Sequence, residues 1–203
     1  KNPEDGQPYY TMKFIRGREL ADLIAQYHKH RRAGTSDPVE LRRLLTLFVN
    51  ACYAISYANH RRVVHRDLKP ANITVGEFGE LIVLDWGLAK ILDETETSDA
   101  QEGQAPNSPR RVGISADADT GLTVKGRIMG TPAYMAPEQL LGRPVTPQSD
   151  VYSTGVVLWE FLTGRRLFKG GDEQAVVTRI VQGDVPRPKD IWVTQAQHTL
   201  SMM

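Results

Sequence analysis

The sequence predicts an α+β fold, mainly α-helical, with one small β hairpin. Helical-period apolar stripes recur along the chain, the longest running from Pro38 to about Asn59. A glycine-flanked turn signal, Gly76-Glu77-Phe78-Gly79, separates two short apolar runs at 73–75 and 80–84. The 203 residues are 40% hydrophobic and 24% charged, enough for one buried core in an ordinary soluble composition.

Taken in order, residues 9–15 are aromatic and β-branched and predict a strand, closed by Arg16-Gly17. A helix is expected from Arg18 to Arg32, with Leu20, Leu23, Ile24 and Tyr27 on one face. Gly34-Thr35-Ser36 interrupts it. Asp37 then stands as a cap, Pro38 at the first helical position, and Glu40 where a capping box needs it. The helix so opened is expected to bury Leu41, Leu44, Leu45, Phe48, Cys52 and Ile55. Val63-Val64 and a loop over 65–72 precede the hairpin. From Asp93 to Gly121 the residues are mostly Asp, Glu, Ser, Thr, Gln, Pro and Gly, a composition expected to be disordered. Asp150 to Thr163 predicts a buried helix ended by Gly164, and 172–182 a shorter one. The periodicity fades after Pro186.

Charge narrows the function. Lys and Arg total 25 against 24 Asp and Glu, a net charge of +1, which gives a nucleic-acid partner no support. No apolar run approaches the roughly 18 residues of a membrane helix, and no signal-peptide pattern opens the chain, so membrane contact is not expected. The single Cys52 excludes an internal disulfide or a cysteine-based zinc site and suits a reducing compartment. The chain opens at Lys1 on polar turn formers that run straight into a strand, which predicts an internal start.

The chemistry concentrates in His65-Arg66-Asp67-Leu68-Lys69-Pro70-Ala71-Asn72, an H-R-D-x-x-x-x-N loop. Across the hairpin stands Asp85-Trp86-Gly87, a D-F-G-like element with Trp for Phe. Farther on, Gly130-Thr131-Pro132-Ala133-Tyr134-Met135-Ala136-Pro137-Glu138 contains A-P-E. Alone, an Asp-x-x-x-x-Asn is ordinarily a turn or a helix cap. Three such elements in order, joined by a matching hairpin, resemble the C-terminal lobe of a eukaryotic-like Ser/Thr protein kinase over about residues 9–185. The wording of the loops is similar to the bacterial branch of that family.

The resemblance implies a protein-kinase-like fold whose hairpin lies at the cleft, and a chain without an N-lobe. Residues 1–15 would end that lobe and form the hinge. Residues 16–185 would be the C-lobe, with 93–121 an activation-segment insert, and 186–203 an atypical, truncated tail. It implies ATP and Mg²⁺, with Mn²⁺ as an alternative, and protein Ser/Thr hydroxyls as acceptors. A loose phosphoryl-transfer transition state asks the protein mainly to position reactants and neutralise charge. Asp67 is then the acceptor or orienter of the hydroxyl proton. Asn72 and Asp85 are hard-oxygen Mg²⁺ ligands, Lys69 is a cation for the transferring phosphoryl, and Thr131 is a partner of Asp67 and Lys69. Met12 would be gatekeeper, with Lys13 and Ile15 meeting the adenine edge; their simpler reading is a buried strand. Arg66 is a ready partner for a phosphate on Thr123 or Thr120.

Several residues keep simpler readings. His65 and Trp86 suit packing in a hydrophobic spine, Cys52 the core, and Asp150 a helix cap, although the resemblance implies that it braces the catalytic loop. Glu138 is expected to lack its usual Arg partner. Within this chain there is no glycine-rich loop with a following strand Lys, so the piece by itself is expected to be inactive or nearly so. A pseudokinase or kinase-derived binding module is therefore the alternative. A small-molecule phosphotransferase is a third reading, opposed by the Gly130–Glu138 element. ATP dependence and the lack of targeting signals imply a cytoplasmic location, with a membrane anchor elsewhere in a full-length protein still open.

Overall fold

A computed structural model describes residues 15–92, 123–124, 127–128 and 131–191. Met12, Lys13, Thr120, the 93–121 stretch and the tail from 192 lie outside the described residues.

The first helix begins later than its periodicity suggests. Arg18–Glu19 forms a short strand, β1, and helix α1 covers Leu20–Arg32. β1 pairs antiparallel with β3 (Ile73–Val75), Arg18 opposite Val75 and Glu19 opposite Thr74, so a tertiary ladder overrides helical propensity there. Gly17 permits this approach, since a Cβ on it would sit 2.6 Å from the Val75 carbonyl oxygen. β4 (Leu81–Val83) completes the sheet in the order β1-β3-β4. Val75 faces Leu81 and Ile73 faces Val83, and the turn closes with Gly76 N–H donating to the Glu80 carbonyl at 2.9 Å.

Helix α2 spans Pro38–His60, and Asp37 caps it by accepting from Val39 N–H at 2.8 Å. The expected capping box is not what Glu40 does: its carboxylate lies 3.3 Å from His30 Nδ1, bridging the two helices. The buried stripe of α2 is Leu44, Leu47, Phe48, Ala51 and Ile55. Leu45, expected inside, is exposed, because the face that meets the core is turned by one position toward Leu47. Strands β2 (Val63–Val64) and β5 (Lys90–Ile91) pair antiparallel, as do β6 (Thr123–Val124) and β7 (Arg127–Ile128).

After the short helix α3 (Pro137–Leu140), helix α4 runs Pro147–Thr163 and α5 Glu173–Gln182. α4 begins three residues before Asp150, so Asp150 is not its cap; there Thr146 N–H donates to Ser149 Oγ at 3.3 Å instead. Its C-terminus ends on Gly164 in the left-handed region, φ +65°, as the sequence suggests. The core joins Leu20, Ile24 and Tyr27 of α1 to the α2 stripe, Val156, Val157 and Phe161 of α4, and Ile180 of α5. Phe48 and Phe161 meet with ring centroids 6.3 Å apart. Burying each such side chain contributes about 2 kcal/mol, and together they hold α2 and α4 under the loop that follows β2.

Candidate active site

The loop from His65 to Asn72 sits at the end of β2 and is braced from α4. Asp150, fully buried, accepts from His65 N–H at 2.9 Å and Arg66 N–H at 3.0 Å, one with each carboxylate oxygen. Asn59 Nδ2 adds a third donor at 3.3 Å. These bonds hold Arg66 at φ +72°, a left-handed conformation costly for a side chain that is not glycine. From the other side, Gln139 Nε2 donates to the Arg66 carbonyl at 2.9 Å, while its Oε1 accepts from Ala136 N–H. Gln139 escapes sequence reasoning, since a Gln after Pro137-Glu138 looks like any helical polar residue.

This brace aims Asp67. Its carboxylate is 5% exposed and receives Lys69 Nζ at 2.7 Å on Oδ2 and Thr131 N–H at 3.2 Å on Oδ1. Lys69 also donates to Thr131 Oγ1 at 2.9 Å. Asp67, Lys69 and Thr131, the last two 62 positions apart in the chain, therefore form one hydrogen-bonded cluster. Asn72 closes it by donating to the Asp67 carbonyl at 2.9 Å and to Oδ2 at 3.2 Å. The 3₁₀ turn Pro70–Asn72 places that amide, and Leu84 N–H donates to the Asn72 carbonyl at 2.8 Å, tying the loop to β4.

Asp85 follows β4 in the left-handed region, φ +60°, with an exposed side chain. With Asn72 spending its amide nitrogen on Asp67, its Oδ1 accepts nothing from the described residues, and neither does the Asp85 carboxylate. Two hard oxygen donors from adjoining strand ends fit the ligand chemistry of a hard cation such as Mg²⁺, and Asn72 and Asp85 are the residues that would hold one. No cluster of three His, Cys, Asp or Glu that could hold a metal by itself occurs among the described residues.

His65 is fully buried, its Nε2 lies 2.9 Å from the Leu84 carbonyl, and its ring meets Trp86 at 4.5 Å between centroids. That is a packing role. Trp86 is only partly enclosed, at 38% exposure, and its indole N–H donates to the Val83 carbonyl at 2.9 Å. Arg66 Nε is buried with no hydrogen-bond partner, and burial lowers the guanidinium's pKa. Thr123 lies in β6, opposite Ile128. Ile15 is half-buried. Glu138, expected to lack its usual Arg partner, accepts from Ser149 Oγ at 2.6 Å.

One buried acid was not singled out in the sequence. Glu160, 7% exposed, lies in the otherwise apolar run Val156 to Phe161, and that isolation is the signal that could have found it. Its Oε2 accepts from Tyr134 Oη at 2.8 Å and its Oε1 from Leu167 N–H at 3.2 Å. Burial raises the pKa of both Glu160 and Tyr134. Ser153 Oγ donates to the Tyr134 carbonyl at 2.7 Å, so α4 anchors the 131–135 segment at two points.

Comparison with known proteins bears on the family. A family model described as the protein kinase domain matches residues 3–201. The serine/threonine-protein kinase PknD of Protochlamydia amoebophila is 40% identical over 166 residues, covering 80% of this chain and 16% of its own length. PknD of Chlamydia caviae is 35% identical over 164 residues, 78% of this chain and 17% of its own. PknD of Chlamydia pneumoniae is 36% identical over 160 residues, 76% and 16%. The chain thus spans 16 to 17% of the length of these relatives. Among the described residues no helix is long and apolar enough to cross a membrane.

Proposed function

We propose a function from one premise: this chain belongs to the protein kinase domain family. It is the substrate-side catalytic part of a Ser/Thr protein kinase, which transfers the γ-phosphate of ATP to hydroxyls of protein Ser and Thr. The observation that carries this is the Asp67–Lys69–Thr131 cluster, in which a buried carboxylate is fixed by a backbone N–H and an ammonium.

Asp67 accepts the hydroxyl proton as the hydroxyl oxygen bonds to the γ-phosphorus. The bond from that phosphorus to the β-phosphate oxygen breaks, and its electron pair leaves with ADP. Lys69 neutralises charge on the transferring group and, through Thr131 Oγ1, keeps that part of the chain beside Asp67. Asn72 and Asp85 would hold Mg²⁺, which would supply charge neutralisation for the phosphates. Ile15, with Lys13 and Met12, borders the adenine. Phosphate on Thr123, or on Thr120, pairs with Arg66, whose buried and unpartnered Nε supports that role.

Transfer from radiolabelled ATP to a Ser/Thr peptide mixture, with the complete natural protein and its Asp67→Asn variant, tests the reading. Transfer by the first and not the second supports it. No transfer, with ATP binding retained, would favour a kinase-derived binding module. Mass spectrometry of active protein without phosphate on Thr123 or Thr120 would remove the Arg66 role.

A further inference from the structure

A cleft of about 390 Å³ opens beside the Asp67 cluster, lined by Lys69, Thr131, Tyr134, Glu160, Arg165 and Arg166 among others. Its charges are unequal in what they can offer. The carboxylate of Glu160 is buried, with one oxygen accepting from Tyr134 Oη and the other from Leu167 N–H. Arg165 and Arg166 are exposed. Arg166 lies over the Tyr134 ring, its guanidinium carbon 5.7 Å from the centroid, which fixes it toward the cleft wall. The Arg165 guanidinium has no hydrogen bond or ion pair among the described residues. Lys69 lines the same space, but its ammonium is held by Asp67 and Thr131, so the two arginines are the cations the cleft offers.

A second cleft of about 440 Å³ also reaches Thr131, and its charged lining is Asp172 and Glu173. The two spaces that share Thr131 therefore carry opposite sign. A peptide whose acceptor hydroxyl sits at Asp67 would pass both.

We propose that the Arg165–Arg166 cleft selects substrates carrying an anionic side chain, a carboxylate or a phosphorylated residue, on one side of the acceptor hydroxyl. This rests on the Ser/Thr kinase reading for the acceptor's position. Guanidinium groups match both anions by paired N–H donors. Glu160 does not reverse the preference, because it serves to hold Tyr134 and the Leu167 backbone.

The test uses the complete natural protein and fluorescein-labelled peptides with one Thr acceptor. Ala, Glu, phosphoserine or Lys is placed at each of three positions on either side of it. Binding is read by anisotropy and transfer by kcat/KM. Glu and phosphoserine should each gain about 1.5- to fivefold over Ala on one side only, as expected for exposed ion pairs. The gain should shrink as salt is raised. Arg165→Glu should abolish the gain and favour Lys at the same positions, while circular dichroism stays unchanged; Arg166→Gln should reduce it. Equal gains for Glu and phosphoserine identify a carboxylate as sufficient, and a gain for phosphoserine alone identifies phosphate as the selected anion. Charge-independent binding, a preference on both sides, or one that survives Arg165→Glu would overturn the proposal. Anion-selective binding without any phosphate transfer would instead overturn the kinase reading and leave the cleft's selectivity standing.

Discussion

The loop 65–72 and the turn 85–87 both contribute to the site, yet they are held in different ways. The first is bonded to Asp150 on α4, to Gln139 on α3 and to Thr131, all more than 60 residues away. The second is held mainly by its own neighbours: Trp86 Nε1 to Val83, and Ala89 N–H to the Trp86 carbonyl. His65 joins them through Leu84 and the Trp86 ring. The part proposed to accept the proton is thus preorganised by buried, charge-assisted hydrogen bonds, which are strong where the dielectric is low. The part proposed to hold metal keeps an exposed carboxylate on a locally supported turn, which leaves it free to adjust to a ligand.

The largest effect expected from disturbing this contrast is chemical. Asp67→Asn retains an oxygen for Thr131 N–H but loses the proton acceptor, so phosphate transfer should fall by about 10²- to 10⁴-fold with little change in melting temperature. A comparable loss of both would mean that Asp67 is structural. Next is Asp150→Ala, which leaves the His65 and Arg66 N–H groups buried without acceptors. Urea unfolding should show a loss of about 2 to 5 kcal/mol, with Asp150→Asn milder. An effect below about 0.5 kcal/mol, the scale of ordinary surface substitutions, would show that the loop is not braced from α4.

Gly164→Ala follows. It puts a Cβ into the His28 ring at a left-handed position, φ +65°, and should cost about 1 to 3 kcal/mol in the same assay. His28 itself sets a pH dependence. It is buried, with Nε2 2.7 Å from the Phe161 carbonyl, and burial holds its pKa below 6.5 in the folded chain. As pH falls below 6.5 the unfolded chain takes up the proton first, so stability present above that value declines until the folded pKa is passed. His28→Gln, which can still donate to Phe161, should flatten the urea midpoint over that window; an unchanged slope would assign it to other groups. The smallest effect belongs to Trp86→Phe. With 38% of the residue exposed, stability should change by about 1 kcal/mol or less, and a larger loss would show that the turn is as firmly held as the loop.

Much of this was legible in the residues themselves. The helices α1, α2, α4 and α5 and the β3–β4 hairpin follow from apolar period, caps and glycine turns, signals contained within a few residues of each other. The loop residues Asp67, Lys69 and Asn72 were legible for the same reason, since their chemistry is written in one short segment. Other features depend on which surfaces meet. The turning of α2 that buries Leu47 and exposes Leu45, the pairing of Glu40 with His30, and the Ser149 hydroxyl on Glu138 all follow from packing between elements. Asp150 looked like a cap locally, and only the approach of α4 to β2, 85 residues apart, makes it an acceptor for His65. Arg165 and Arg166 appear in sequence as two basic residues after a helix. Their place beside Lys69 exists only once α1, α4 and the 131–135 segment are packed around one cleft. Periodicity and turn chemistry act over a few bonds of chain, so the sequence alone determines them. Which distant donor meets which acceptor is decided by the packed core, where each buried polar group must find its partner or cost the fold its stability.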